Sequence, residues 1–360
     1  MNLRKYVKNR KSFILIISLL TIGILWIGYF VSDIKGRTPA HASRKPLNAI
    51  FQSIKNWFHE EVPFPEFTST LQEIDSAGKV FFMDPPHLYG GDARVHNNAE
   101  SYDPDPVRVN FTYSFEIMRT EVTQEIWVLV MNSNPSIFKE KKYCENDFKK
   151  YPVAMCPYNP VENISWKDID KFIKKLHDKM GLSFCNDVPY PTRVRDKAKD
   201  FHRTTGCFRL PTDAEWEFAA RGGTITAYYF GDSADLLDDY AWYERNSFVQ
   251  TWPVKQKLSN DYGLYDMHGN VSEWVLDEWM WEKRRGRIIT KLPGGENPLY
   301  INPIIKFRLG FKHAPDRRRF RIVRGGSFTS KAKNLRFVSR IMVDKRKSKF
   351  YVGFRLARTL

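Results

Sequence analysis

Apolar and polar positions along the chain change their rhythm several times, and each change marks an element. Residues Phe13 to Val31 carry no charge at all. That run approaches the ~20 residues a helix needs to cross a bilayer. Residues 50–58 (IFQSIKNWF) have helical apolar spacing and predict a short amphipathic helix, which Pro63 and Pro65 terminate. Val80-Phe81-Phe82 predicts a strand, and the β-branched and aromatic run Val107 to Met118 predicts another. Thr123 is a suitable N-cap for a helix ending at Met131. Residues 165–180 (SWKDIDKFIKKLHDKM) predict a second, amphipathic helix. Ser165 caps it, Asp168 falls three residues on, and Trp166, Ile169, Phe172, Ile173 and Leu176 form one stripe. In residues 212–221 (TDAEWEFAAR), Thr212 and Glu215 have capping-box spacing and Gly222-Gly223 stops the helix. The expected class is α+β with much irregular backbone, preceded by one transmembrane helix.

Charge orients this picture. Arg4, Lys5, Lys8, Arg10 and Lys11 precede the apolar run, so residues 1–12 read as a cytoplasmic basic tail. By the positive-inside rule everything after residue 31 is exported. Residues 13–31 then read as a signal anchor, 32–78 as a stalk and 79–360 as the folded domain. The expected location is the cytoplasmic membrane, single-pass, with the domain periplasmic or extracellular. A cleaved signal peptide is the rival reading, with Ala40-His41-Ala42 as a cleavage triplet, although that triplet lies well past the apolar run.

Composition narrows the classes further. Hydrophobic residues at 42% and aromatics at 15% exclude a disordered chain. Exported topology excludes nucleic acid as a partner. The net charge of +16 fits either a solvated surface or an anionic partner. The segment Lys283 to Arg324 is strongly basic and has the same two readings: a solvated loop, or contact with envelope proteins or an anionic surface. The four cysteines, Cys144, Cys156, Cys185 and Cys207, contain no CxxC pair, which disfavours zinc and thioredoxin-type chemistry. In an oxidising compartment they pair as structural bridges. Three connectivities are possible; the nested pairs Cys144–Cys156 and Cys185–Cys207 close the shortest loops. The histidines show no HxH or HExxH spacing. His177, on a helix among lysines, reads as solvated, and His268 as structural.

Six segments, in order, resemble the formylglycine-generating-enzyme (sulfatase-modifying factor) family. They are FEIMRTEVTQEIW (115–127), PVENISW (160–166), FRLPTDAEWEFAARGG (208–223), YGLYDMHGNVSEW (262–274), VRGGS (323–327) and GFRLA (353–357). The resemblance implies a divergent C-type-lectin-like fold. It also implies a copper-binding cysteine pair three residues after the serine of RGGS and five beyond that. Those positions hold Ser330 and Leu335, neither of which ligates a soft copper ion. Formylglycine chemistry by the family's usual route, and copper with it, are therefore not expected. If a cysteine-independent oxidase were present, Ser327, Ser330 and Arg340 would lie near the equivalent pocket. The family's calcium loop maps onto Asp266, the carbonyls of Gly269 and Val271, and Glu273, with Asn246 matching one ligand of a second site. The expected function is a non-catalytic, membrane-anchored binding or assembly module, with the cysteine-independent oxidase as the alternative.

Overall fold

In a computed structural model of the chain, the residues described are 70–83, 107–144, 153–183, 185, 204–279, 281–284, 287–290, 294–299 and 320–360. The expected anchor, the helix at 50–58 and most of the basic segment lie outside them. Among the described residues, no helix is long and apolar enough to cross a membrane.

The fold mixes helix and sheet. Strands β1 (Leu71–Ile74), β4 (Phe115–Met118) and β12 (Ala357–Thr359) form one antiparallel sheet with β4 central. Strand β1 lies inside the stretch expected to be stalk. It buries Leu71 and Ile74 at its two ends and matches Leu71 to Met118, so the folded unit starts before Lys79. Strands β2 (Val80–Met83), β3 (Val107–Asn110) and β8 (Gly295–Glu296) form a second sheet. The single strand expected over 107–118 is thus two strands in two sheets. The rings of Phe111, Tyr113 and Phe115 all turn inward between them and meet edge-on or tilted, which redirects the backbone.

The third sheet runs β10 (Ile341–Asp344), β9 (Phe320–Arg324), β5 (Ser272–Glu278), β11 (Val352–Gly353). All seven residues of β5 are buried, as befits a strand covered on both faces. Strands β6 (Trp281–Arg284) and β7 (Arg287–Thr290) make a separate hairpin within the basic segment.

Helix α1 (Gln124–Met131) is capped by Thr123, whose hydroxyl accepts from Ile126 N–H. Helix α2 (Trp166–Met180) begins at Ser165, which donates its N–H and hydroxyl to Asp168. Trp127 of α1 stacks on Phe172 of α2 at 5.1 Å, and Phe354 meets both rings edge-on. His177 corrects an expectation: it is buried, and its Nε2 accepts the Phe208 N–H at 2.9 Å. Burial lowers its pKa and keeps it neutral. Helix α3 (Asp213–Arg221) carries a reciprocal capping box between Thr212 and Glu215. Glu215 also takes a bidentate bond from Arg209, 2.7 Å on each arm, and the Tyr113 hydroxyl. A short helix, α4 (Leu237–Tyr240), follows. Disulfides join Cys144 to Cys156 and Cys185 to Cys207, with Cα separations of 5.7 and 5.4 Å, in agreement with the shortest-loop pairing.

Candidate functional site

Ser330 and Leu335, the residues expected to stand where the family has its cysteine pair, come together around Gly326. A Cβ placed on Gly326 would stand 2.5 Å from Leu335 Cδ2 and 3.3 Å from Ser330 Oγ. Ser330 is buried, and its hydroxyl accepts the Ser327 N–H at 2.9 Å. Ser327 and Ser330 hydroxyls are 3.5 Å apart, and Thr329 Oγ1 lies 3.0 Å from Ser327 Oγ. Leu335 is fully buried. Its carbonyl accepts from His268 Nδ1 at 2.7 Å, while Nε2 of that imidazole accepts the Tyr229 N–H. These two bonds fix one neutral tautomer, and burial lowers the His268 pKa to about 3. No base is therefore aimed at the serines from His268. All four cysteines of the chain are held in disulfides elsewhere.

Arg340, a weak pocket candidate, has its charge committed to another region. Its guanidinium bonds Asp213 and Glu217 at 2.8 Å each. Glu217 also receives Arg324 at 2.7 Å and Arg221 at 2.8 Å, and Asp277 joins by accepting the Asp213 N–H. This buried network ties α3 to β9 and to the start of β10.

The loop from Asp266 to Glu273 does gather acids. Asp266 is buried with a left-handed backbone, and one carboxylate oxygen accepts the Lys255 N–H. Gly269 is required there, because a Cβ would stand 2.1 Å from the Trp242 carbonyl oxygen. Glu273 departs from the simple ligand expectation. Both of its oxygens are held by Arg355 at 2.7 Å, and one also accepts from Trp216 Nε1. The carboxylate that sequence reading missed is Glu121, whose Oε1 faces Val271 N–H at 3.4 Å. Glu121 Oε2 and Asp266 Oδ1 are both buried and have no hydrogen-bond partner. Burial raises the pKa of both groups, and for Glu121 the neighbouring charges of Asp266 and Glu273 raise it further. Asn246 stands apart from this cluster. It bonds the Ala241 carbonyl and the Tyr243 N–H and so closes its own turn.

Among the described residues no three His, Cys, Asp or Glu side chains converge in metal-binding geometry. A cation here would depend on Asp266, Glu121 and backbone carbonyls, and that donor set suits a hard ion such as Ca²⁺. The two orphaned oxygens fit such an ion, because each is a buried acceptor with nothing to accept from. A fourth acid, Glu162, calibrates the cluster. Its Oε1 accepts Ile137 and Phe138 N–H groups, its Oε2 has no partner, and burial raises its pKa to about 7.

Residues 85–360 match the sulfatase-modifying factor enzyme 1-like domain, FGE-sulfatase. The chain belongs to that family. The chain is 30% identical over 237 residues to chaperone protein LppX of Paenibacillus barcinonensis, covering 59% of this chain and 76% of that protein. It is 43% identical over 82 residues to the formylglycine-generating enzyme of Mycobacterium tuberculosis, which is 20% of this chain but only 27% of that enzyme. Among solved structures it is similar to Treponema denticola variable protein 1. The TM-score is 0.56 at 28% identity, covering 81% of this chain and 95% of the other. These likenesses place the FGE-sulfatase fold over the described unit.

Proposed function

We propose that this FGE-sulfatase member is a membrane-anchored, exported binding or assembly module that does not run copper–thiolate oxidation. The observation that carries the proposal is the pair Ser330 and Leu335 at the cysteine positions. Soft copper requires sulfur donors, and Leu335 fills its position with buried hydrocarbon. Export is supported by the basic flank and apolar run of residues 1–31 and by two disulfides. The likeness to a protein named as a chaperone, over most of that protein's length, supports a role exercised on another polypeptide. Calcium at Asp266, Glu121 and the carbonyls of Gly269 and Val271 belongs to the same proposal, as an ion that completes the scaffold.

The test uses the full chain purified from solubilised membranes. It is incubated with Cu(I) and a cysteine-containing peptide, and aldehyde formation is followed by mass spectrometry. The expected result is no conversion, sub-stoichiometric copper, and co-purification of a defined envelope protein. Turnover to the aldehyde overturns the reading.

A further inference from the structure

Strand β2 ends its sheet without a guard. The order β2, β3, β8 leaves its far side unpaired among the described residues. Val80 is 45% and Phe82 47% exposed, while Met83 is buried and Phe81 packs on Phe111 and Phe218. Proteins ordinarily protect an edge strand with charge, proline or a cover, because a free edge templates pairing with another chain. Strand β1 exposes Glu73, and β12 is bridged to Thr205 and Arg209. Strand β2 reads VFFM, with neither charge nor proline.

The backbone of the same two exposed residues faces the open side. Phe111 N–H donates to the Lys79 carbonyl at 3.1 Å. Antiparallel pairs alternate between bonded and non-bonded. Counted along the register, Phe81 and Met83 bond to β3, whereas Val80 and Phe82 turn their N–H and C=O groups outward. Asn110, opposite Val80, fits this parity, since its carbonyl accepts from Asn297 on the other side of β3.

These features are self-complementary. Val80 and Phe82 are separated by one residue, so a two-fold axis at Phe81 sets Val80 of each copy opposite Phe82 of the other. Each such pair exchanges both N–H···O=C bonds and makes a β-branched–aromatic contact on the exposed face. Charge does not oppose the match, in spite of the net +16. Lys79 comes opposite Met83 of the second copy. On the exposed face, each row across the seam runs from Glu296 of one copy to Arg108 of the other, so its two rims carry opposite sign. Both copies use the same patch, so the assembly closes at two.

We propose that the β2 edge pairs with a second copy of this chain, antiparallel and in that register, to make one continuous sheet across the dimer. A seam of four-residue strands buries far less than the ~1,600 Å² of a standard interface, so the dimer dissociates on dilution. The proposal holds whether or not residues 13–31 span a membrane.

Full chains carrying Val80→Cys or Phe82→Cys are purified in detergent and oxidised with glutathione disulfide, each alone and as an equal mixture. All native cysteines are bridged, so each variant offers a single thiol. Positions 80 and 82 of opposite copies stand ~5.5 Å apart between Cα atoms, within disulfide reach, while like positions are offset along the strands. The mixture should therefore cross-link several-fold faster than either variant alone. Wild type should also self-associate with rising concentration in sedimentation. Phe82→Lys should stay monomeric there, yet melt like wild type at a concentration where both are monomers, which separates pairing from folding. Equal cross-linking of all three samples, as association through residues 13–31 would give, overturns the proposal. So does a mixture that forms no mixed disulfide, including the case in which Phe82→Cys captures a different polypeptide in native membranes.

Discussion

Two buried charge clusters use the same side-chain chemistry in different proportion. Around the Asp266 loop, Glu121, Asp266 and Glu273 face one fully engaged cation, Arg355, with Lys257 acting on Asp266 from further off. On α3, Arg221, Arg324 and Arg340 face Asp213, Glu217 and the adjoining Asp277. The second cluster balances its charge internally and works as a brace between helix and sheet. The first carries excess negative charge and orphaned oxygens, so Glu121 and Asp266 lean toward the protonated state unless a cation joins them. Charge balance, not the number of acids, separates a brace from a place that can accept a ligand.

The comparison breaks most visibly at Glu217. Glu217→Ala would leave three arginines crowded in the interior around the remaining acids, and buried pairs broken this way cost about 3–5 kcal/mol. Urea denaturation should show that loss, with no dependence on calcium. In the acid-rich cluster the expected behaviour is different. Calcium at a hundredfold excess over its Kd should add about 2–3 kcal/mol to wild-type stability. Glu121→Gln should keep the chain folded in chelator yet abolish most of that calcium increment, as read by thermal melts with and without EGTA. A wild-type melt that calcium does not move would mean the acids are satisfied by protons alone.

The smallest effect calibrates both clusters through an acid that lacks any arginine. Glu162 has its folded pKa raised by burial to about 7, above its unfolded value. Its stabilising contribution is therefore complete below the unfolded pKa and is lost as pH rises through about 7. Between these limits wild type should lose about 1–3 kcal/mol relative to Glu162→Gln, measured as the difference between two stability–pH curves. Parallel curves would show that the Glu162 carboxylate is already ionised at low pH.

Much of the scaffold was legible because its signals are local. The caps at Thr123, Ser165 and Thr212 and the apolar stripe of α2 are sequence-adjacent features, and each helix formed where they indicated. The strand pattern over 107–118 misled because alternation continues through a change of sheet, and only the inward aromatic cluster reveals the break. His177 carried a usable signal that its lysine neighbours obscured: it lies four residues after Ile173 and hence on the buried stripe. Glu121 lies in the FEIMRTEVTQEIW segment, but nothing there pointed to a role for it. It reads as an ordinary acid before a helix cap, and its partner Val271 lies 150 residues further along. Arg355 sits in the GFRLA motif, yet its grip on Glu273 is visible only in three dimensions. The calcium-loop residues were therefore found by motif, while the group that changes their chemistry was not.

The sheet of β1, β4 and β12 joins strands from the first and last portions of the folded unit. Its final strand also pairs with Arg209, whose guanidinium bonds Thr359. A chain synthesised from its amino end cannot complete this sheet until Ala357–Thr359 has been made, so the edge of β4 that β12 occupies stays open to neighbours until then.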